Sequence, residues 1–349
     1  MSVFDHPEFD AHERVAFWHD KQSGLKAIIA VHNTRLGPAL GGCRMWPYAN
    51  SAEALTDVLR LSKGMTYKAA MAELKLGGGK SVIIGDPRKL KTAEMMESMG
   101  RFVDSMGGSY FTAEDSGISV DDLHCMAKHS DHIAGINAKY RYDGQPTDGN
   151  PAPATAYGVF VGLKAAVKYK LGSDLKGVTV AIQGLGHVGY RLARHLHDAG
   201  AKLVVADIFE ENTKRVEQEF AAKVVSAEEI TGFDADVLAP CAMGATINAN
   251  SIASIKAKVI AGAANNQLSE EWIGDELSQR QILYAPDYVI NAGGVIDIYH
   301  QRFDSNAEDL RAHIERIGDN LTAIFERARS ESVSTNLVAN AIAEERFAG

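Results

Sequence analysis

Along the chain, short runs of consecutive apolar residues alternate with longer stretches in which apolar positions recur every three or four residues. These are the signatures of buried strands and of helices packed on one face. Residues 25–31 (LKAIIAV), 81–85 (SVIIG) and 110–113 (YFTA) read as buried strands. Between them, Leu55, Val58, Leu59 and Met65 keep helical spacing behind a candidate N-cap at Ser51. Met95, Met96, Met99, Phe102, Val103 and Met106 form one face of a second helix, capped by Thr92 and closed near Gly107. The methionine stripe is predicted to be core. Residues 35–48 (RLGPALGGCRMWPY) are predicted to be a loop, because Gly37, Pro38, Gly41 and Gly42 interrupt either period.

In the second half, apolar runs at 178–183, 202–206, 235–238, 258–261 and 282–284 alternate with helical stretches such as 187–200 and 210–220. That alternation predicts a parallel, doubly wound sheet covered by helices on both faces. Residues 137–153, rich in Gly, Pro, Asn and Asp and without periodicity, read as an interdomain linker. Residues 307–332 and the tail from Ser334 read as closing helices, with Ile314, Ile317, Leu321, Ile324 and Phe325 as an apolar face. The fold class is therefore α/β: an N-terminal α/β domain over 1–145 and a Rossmann-type domain over 146–329, with a cleft between them.

Composition narrows the function. A chain of 349 residues, 46% hydrophobic and 23% charged, can fill two cores. A net charge of −9 without a Lys/Arg run disfavours nucleic acid or an anionic membrane as partner and favours a small molecule. Cys43, Cys125 and Cys241 show no CxxC or Cys/His spacing, so neither a metal site nor a disulfide framework is expected, and reduced thiols suit a cytoplasm. No apolar run reaches eighteen residues, and the acidic start lacks an apolar signal region.

Two stretches carry candidate chemistry. Gly184-Leu185-Gly186-His187-Val188-Gly189 lies between a predicted strand and helix, and Asp207 ends the next strand about twenty positions on, which is the full dinucleotide-binding context. Gly184 permits the tight turn, Gly186 admits the pyrophosphate to the helix N-terminus, and Gly189 lets helix pack on strand. Asp207 would accept the adenosine ribose hydroxyls and repel a 2′-phosphate, which favours NAD over NADP. Residues 239–241, 263–266 and 291–294 each follow an apolar stretch, where ligands bind in such sheets. The other stretch, GMTYKAAMAELKLGGGK over 64–80, carries Lys68, Lys75 and Lys80, the last presented by what reads as a glycine turn at 77–79. Glu114 and Asp115 end the predicted strand 110–113, where carboxylates either carry chemistry or cap the next helix.

Taken together, GPALGGCRM, GMTYKAAMAELKLGGGK, TAEDSG, NPAPATAYGV, QGLGHVG, GAANNQL and YVINAGGV occur in the order and spacing of one family. Over nearly its whole length, from about Leu25 to Phe347, the chain resembles the glutamate/leucine/phenylalanine/valine dehydrogenases, and within them the leucine-specific branch. The resemblance implies a catalytic, oligomerising first domain, an NAD domain, and a C-terminal helix, about 330–349, packed back on the first domain. It implies that Lys68 binds the substrate α-carboxylate, Lys80 is the catalytic base, and Asp115 handles protons on the substrate nitrogen. Gly41, Gly42, Asn265 and Asn266 would help hold the substrate. Thr155 would lie near the nicotinamide amide, and Ala239, Cys241 and Asn291 would flank the cofactor beside His187 and Val188. Lys75 matches no functional position. Two ammonium groups in one closed cleft disfavour each other's charge, which suits a lysine that must release a proton.

Substrate choice is read from the pocket wall. Glutamate-specific relatives have a lysine at the position of Leu40 and a serine at that of Ile298; aliphatic residues here would leave a distal carboxylate unpaired. Phenylalanine-specific relatives tend to have glycine at the position of Ala113 and leucine at that of Val295, so the Ala113/Val295 pair follows the leucine pattern. The expected reaction is reversible oxidative deamination of leucine, valine or isoleucine, with an aromatic amino acid as the alternative. A non-catalytic NAD-binding regulator is disfavoured because Lys80 and Asp115 are both present. Two departures stand out: Ser116-Gly117-Ile118 where leucine-specific relatives read Val-Gly-Thr, and a longer segment at 138–148.

Overall fold

The computed structural model describes residues 2–136, 140–145, 150–302 and 305–348. In the first half lie β1 (Arg14–Asp20), β2 (Leu25–Asn33), β3 (Ala39–Trp46), α1 (Ser51–Met71), β4 (Gly77–Ile84), α2 (Ala93–Asp104), β5 (Tyr110–Ala113) and α3 (Val120–Ala127). The strands form one sheet in the order β1-β2-β4-β3-β5, antiparallel from β1 to β4 and parallel from β4 to β5. Helix α1 covers one face with Ala54, Val58 and Leu59, and α2 covers the other with Met95, Met96, Met99, Phe102 and Val103, all buried.

Both glycine-rich segments turn out to be strand, which corrects the expected loop at 35–48 and the expected turn at 77–79. Close approach overrides the low strand propensity of glycine here. A Cβ on Gly41 would strike the Gly79 carbonyl, and one on Gly78 would strike the backbone of Thr66 in α1. The glycines thus let α1 and the sheet approach backbone to backbone. The N-cap of α1 is Asn50, whose side chain accepts from the amides of Ala52 and Glu53, so Ser51 is the first helical residue.

The second half contains α4 (Ala152–Leu171), β6 (Thr179–Gln183), α5 (His187–Asp198), β7 (Lys202–Ala206), α6 (Glu210–Phe220), β8 (Lys223–Val224), β9 (Val237–Pro240), β10 (Val259–Ile260), α7 (Ile273–Gln279), β11 (Leu283–Tyr284), α8 (Asp287–Ile290), α9 (Gly293–Arg302), α10 (Ala307–Glu331) and α11 (Thr335–Ala348). Its strands pair in parallel in the order β8-β7-β6-β9-β10-β11, with the first strand of the unit central and the chain winding outward to either side. This is the Rossmann order. The predicted linker ends at Pro151, because Ala152 and Pro153 open α4, where a missing N–H costs nothing. Residues 137–139 and 146–149 of that segment, and with them part of the longer stretch at 138–148, lie outside the described residues.

Helix α11 returns to α1. Tyr67 donates its hydroxyl to Glu344 at 2.7 Å and meets Phe347 edge-on, while Arg35 donates to the Ala348 carbonyl.

Candidate active site

Lys80 projects from the middle of β4 and is only 6% exposed. Asp115 stands just past the end of β5, a neighbour of β4 across β3, and the two side chains form an ion pair. Asp115 Oδ2 also lies 3.3 Å from Arg44 Nε, and Oδ1 accepts from the Ser116 amide at 2.7 Å, with the Ser116 hydroxyl 3.4 Å away. Burial pushes the Asp115 carboxyl up, but Lys80, Arg44 and these hydrogen bonds outweigh it and hold its pKa at about 2.

Lys68 sits in the last turn of α1 with Nζ 3.5 Å from Asn265 Oδ1, which in turn accepts from Asn291 Nδ2 at 2.7 Å. Burial above all lowers the Lys68 pKa to about 8; the charge of Asp287 opposes the shift and that of Lys80 adds to it. The charge of Lys80 thus adds only a smaller push to the shift at Lys68, and Lys80 itself is paired with Asp115.

These groups converge on a cavity of about 310 Å³ that is also lined by Leu40, Gly41, Gly42, Ala113, Thr155, Val188, Asn291, Val295 and Ile298. Its charged floor comes from the first half of the chain, and its aliphatic wall from both, Leu40 and Ala113 from the first and Val188, Val295 and Ile298 from the second. An adjoining chamber of about 470 Å³ shares Asp115, Thr155, Val188 and Ile298 and extends past Ser116, Ile118 and Gly135. Asn266 does not line the cavity: it takes a left-handed conformation, φ 51°, and its carbonyl accepts from Ala245.

Gly184, with φ 96°, makes the turn after β6, and α5 starts with Gly186 as N-cap. A Cβ on Gly186 would meet open space, so the helix N-terminus is accessible, whereas Gly189 lies against the Gly184 carbonyl. Each oxygen of Asp207 holds a backbone amide, Leu185 at 2.6 Å and Phe209 at 2.8 Å, which ties the glycine loop to the end of β7. A carboxylate oxygen retains a second lone pair for a ribose hydroxyl. Ala239 is buried in β9, and Cys241 follows with its thiol pushed up to about 12 by burial, hence neutral. The Asp207 acceptor and the bare helix N-terminus fit a dinucleotide.

Sequence reasoning missed the wall residues Met65 and Pro151, placed Ala263 and Gly294 only within candidate ligand-binding segments, and did not assign Glu114, which lines both chambers. It also missed Arg44. Had β3 been recognised as a strand, its period of two would have placed Leu40, Gly42 and Arg44 on one side, facing Asp115.

A nucleotide-type sheet facing a cavity that holds two lysines and a carboxylate defines a two-domain dehydrogenase. The description "Glu/Leu/Phe/Val dehydrogenase, dimerisation domain" matches residues 12–132, and "Glutamate/Leucine/Phenylalanine/Valine dehydrogenase" matches 150–208 and 205–348. The chain belongs to this family of amino acid dehydrogenases, which use NAD or NADP. It is 50% identical to leucine dehydrogenase of Geobacillus stearothermophilus over 99% of this chain and 94% of that protein. The crystal structure of L-tryptophan dehydrogenase from Nostoc punctiforme superimposes with a TM-score of 0.84 at 43% identity, covering 97% of this chain and 96% of that one. Hetero-hexameric glutamate dehydrogenase from Thermus thermophilus shares the fold at 23% identity, with a TM-score of 0.75 over 96% of this chain and 88% of that one. Among the described residues no helix is long and apolar enough to cross a membrane.

Proposed function

We propose that this protein catalyses the reversible, NAD-dependent oxidative deamination of leucine, and of valine and isoleucine, to the 2-oxo acid, ammonia and NADH. The observation that carries the reading is the joint lining of one cavity by the charged Lys68, Lys80 and Asp115 and the aliphatic Leu40, Ala113, Val295 and Ile298. Lys68, steadied by Asn265, binds the α-carboxylate and fixes Cα, while Gly41 and Gly42 leave the backbone bare beside the substrate. NAD, when bound, would supply the acceptor for the Cα hydride. Lys80 takes a proton from the water that adds to the iminium carbon, and Asp115, an ionised carboxylate at rest, relays that proton from Lys80 to the departing nitrogen. The apolar wall offers no partner to a second carboxylate, which disfavours glutamate by several kcal/mol (on the order of the cost of burying an unpaired polar group).

The cofactor would lie along Gly184, Gly186, His187, Val188 and Gly189, with Asp207 on the ribose, Ala239 and Cys241 beneath it, and Thr155 and Asn291 toward the nicotinamide. Asp207 is followed by Ile208, Phe209, Glu210 and Glu211 and no arginine, which favours NAD over NADP. We place the catalytic domain at 1–145, closed by the C-terminal helix, and the NAD domain at 146–329, in a cytoplasmic homo-oligomer assembled through the first domain. The chamber beside the pocket supports a second reading, an aromatic substrate, since Ile298 lines both spaces. Initial rates of NAD reduction with leucine, valine, isoleucine, phenylalanine, tryptophan and glutamate test this. The branched aliphatic substrates should lead, and absence of turnover with all six would refute the assignment.

A further inference from the structure

A lysine that must surrender its proton is poorly served by an ion pair with a carboxylate, because the pair favours the ammonium form. Lys80 nevertheless pairs with Asp115. The resolution lies on β3. Arg44 Nε is 3.3 Å from the same Oδ2 that Lys80 contacts, yet it is buried and has no hydrogen-bond partner, so the interaction is electrostatic and an aligned bond is still to be made. The rest of the guanidinium is anchored: Arg44 Nη1 donates to Asp57 Oδ2 at 3.0 Å, and Tyr48 donates its hydroxyl to the same oxygen at 2.6 Å. Arg60 adds a longer contact of 3.4 Å to Asp57 Oδ1.

We propose that Arg44 is a positioning residue that competes with Lys80 for Asp115 Oδ2, so that Lys80 can release its proton to become the base. As Lys80 gives up its proton, the unpartnered Nε–H takes over Oδ2 and the carboxylate is never left buried without a donor. Asp57 and Tyr48 hold the guanidinium in reach without adding a donor to Asp115. The charged groups around Asp115 are Lys80 on β4, Arg44 on β3, Lys68 on α1 and Glu114 beside it. Of the other titratable groups, Tyr48, Cys43 and Tyr110 feel its charge, and each is held neutral with a raised pKa. Arg44 is therefore the permanent cation that offsets Asp115 when the proton leaves, since a guanidinium does not titrate in this range.

The inference rests on the function proposed above, and its test separates the two. The dependence of kcat for leucine on pH, at saturating substrate, is measured for the wild type, Arg44→Gln and Arg44→Lys, with NAD affinity and thermal unfolding as controls. For Arg44→Gln the acid limb should move up by about one pH unit or more, so that activity near pH 8 falls about tenfold and recovers at higher pH. NAD affinity should not change. Arg44→Lys, a point charge that cannot span Asp57 and Asp115 together, should give an intermediate limb, and it serves alone if the glutamine variant does not fold. A loss by the same factor at every pH, or no loss, overturns the role of Arg44. A wild type inactive on every amino acid overturns the function itself.

Discussion

Arg346 donates through Nη1 to the carbonyl oxygens of Ala70 at 3.0 Å and Met71 at 3.1 Å, so a side chain of the last helix caps the end of α1 two residues beyond Lys68. Asn320 Nδ2 donates to the Met71 carbonyl at 3.0 Å and His313 Nε2 bonds the Ala72 carbonyl at 2.7 Å. The turn that presents Lys68 is thus held by α10 and α11, because the last carbonyls of a helix have no partner within it. Arg346→Ala should raise KM for the amino acid several-fold with little change in kcat, and lower stability by about 0.5–1.5 kcal/mol, the worth of an ordinary hydrogen bond, since Asn320 still serves the Met71 carbonyl and the Glu73 amide that of Ala70. Unchanged KM in steady-state assays would show that α1 holds Lys68 unaided.

Lys80→Ala should reduce turnover by about 10²–10⁴-fold, the usual worth of a positioned base. Because Lys80 lies outside the glycine loop, NAD affinity measured by calorimetry should stay as it was. Asp115 would then be left in a buried site with Arg44 as its remaining side-chain cation, so some loss of thermal stability should accompany the loss of rate.

Leu40 is 2% exposed and lines the same cavity as Lys68 and Lys80. Leu40→Lys should raise kcat/KM for glutamate relative to leucine by at least tenfold, since a buried charge pair replaces an unpaired carboxylate. Leucine activity should drop as the ammonium disturbs an apolar wall. A ratio that does not move would place the substrate side chain elsewhere.

Asp207→Ala removes both a candidate ribose ligand and the two backbone amides' acceptor, Leu185 and Phe209. The variant should lose affinity for NAD, and its NAD-to-NADP preference should fall by about tenfold or more, on the order of one to two lost hydrogen bonds to a charged group. Competition assays with the two cofactors decide it. A cofactor ratio equal to that of the wild type would confine Asp207 to bracing the loop.

Periodicity revealed the nucleotide sheet because its strands are unbroken apolar runs between amphipathic helices: residues 179–183 and 202–206 fall where the pattern places them. It failed at β3 and the start of β4 for a physical reason. Gly41, Gly42 and Gly77 to Gly79 carry no side chain, so they contribute nothing to a hydrophobic pattern, and what keeps them in strands is the nearness of other backbone atoms, which no local window contains. The same blindness hid Arg44. Motif spacing supplied Lys68, Lys80 and Asp115, but only the fold shows that burial lowers the pKa of Lys68 and that Lys80 pairs with Asp115. Asn266 follows a site residue in sequence but takes a left-handed conformation and is not part of the cavity lining.

The pH dependence of substrate capture follows from Lys68. Its folded-state pKa, about 8, is depressed from the ordinary lysine value of 10.5, so the folded protein releases the proton first as pH rises. Folding therefore works against this ammonium at low pH, and that cost fades as pH climbs from about 8 toward 10.5. Binding has the opposite preference, since the α-carboxylate needs the cation. The basic limb of kcat/KM for leucine should fall near pH 8, where free enzyme loses the charge, whereas the basic limb of kcat should lie higher because bound carboxylate stabilises the ammonium. Lys68→Met should raise KM at neutral pH and abolish the gap between the two limbs. Coincident limbs in the wild type would mean that substrate does not meet Lys68, and the carboxylate would then have to be held by Asn265 and Asn291 alone.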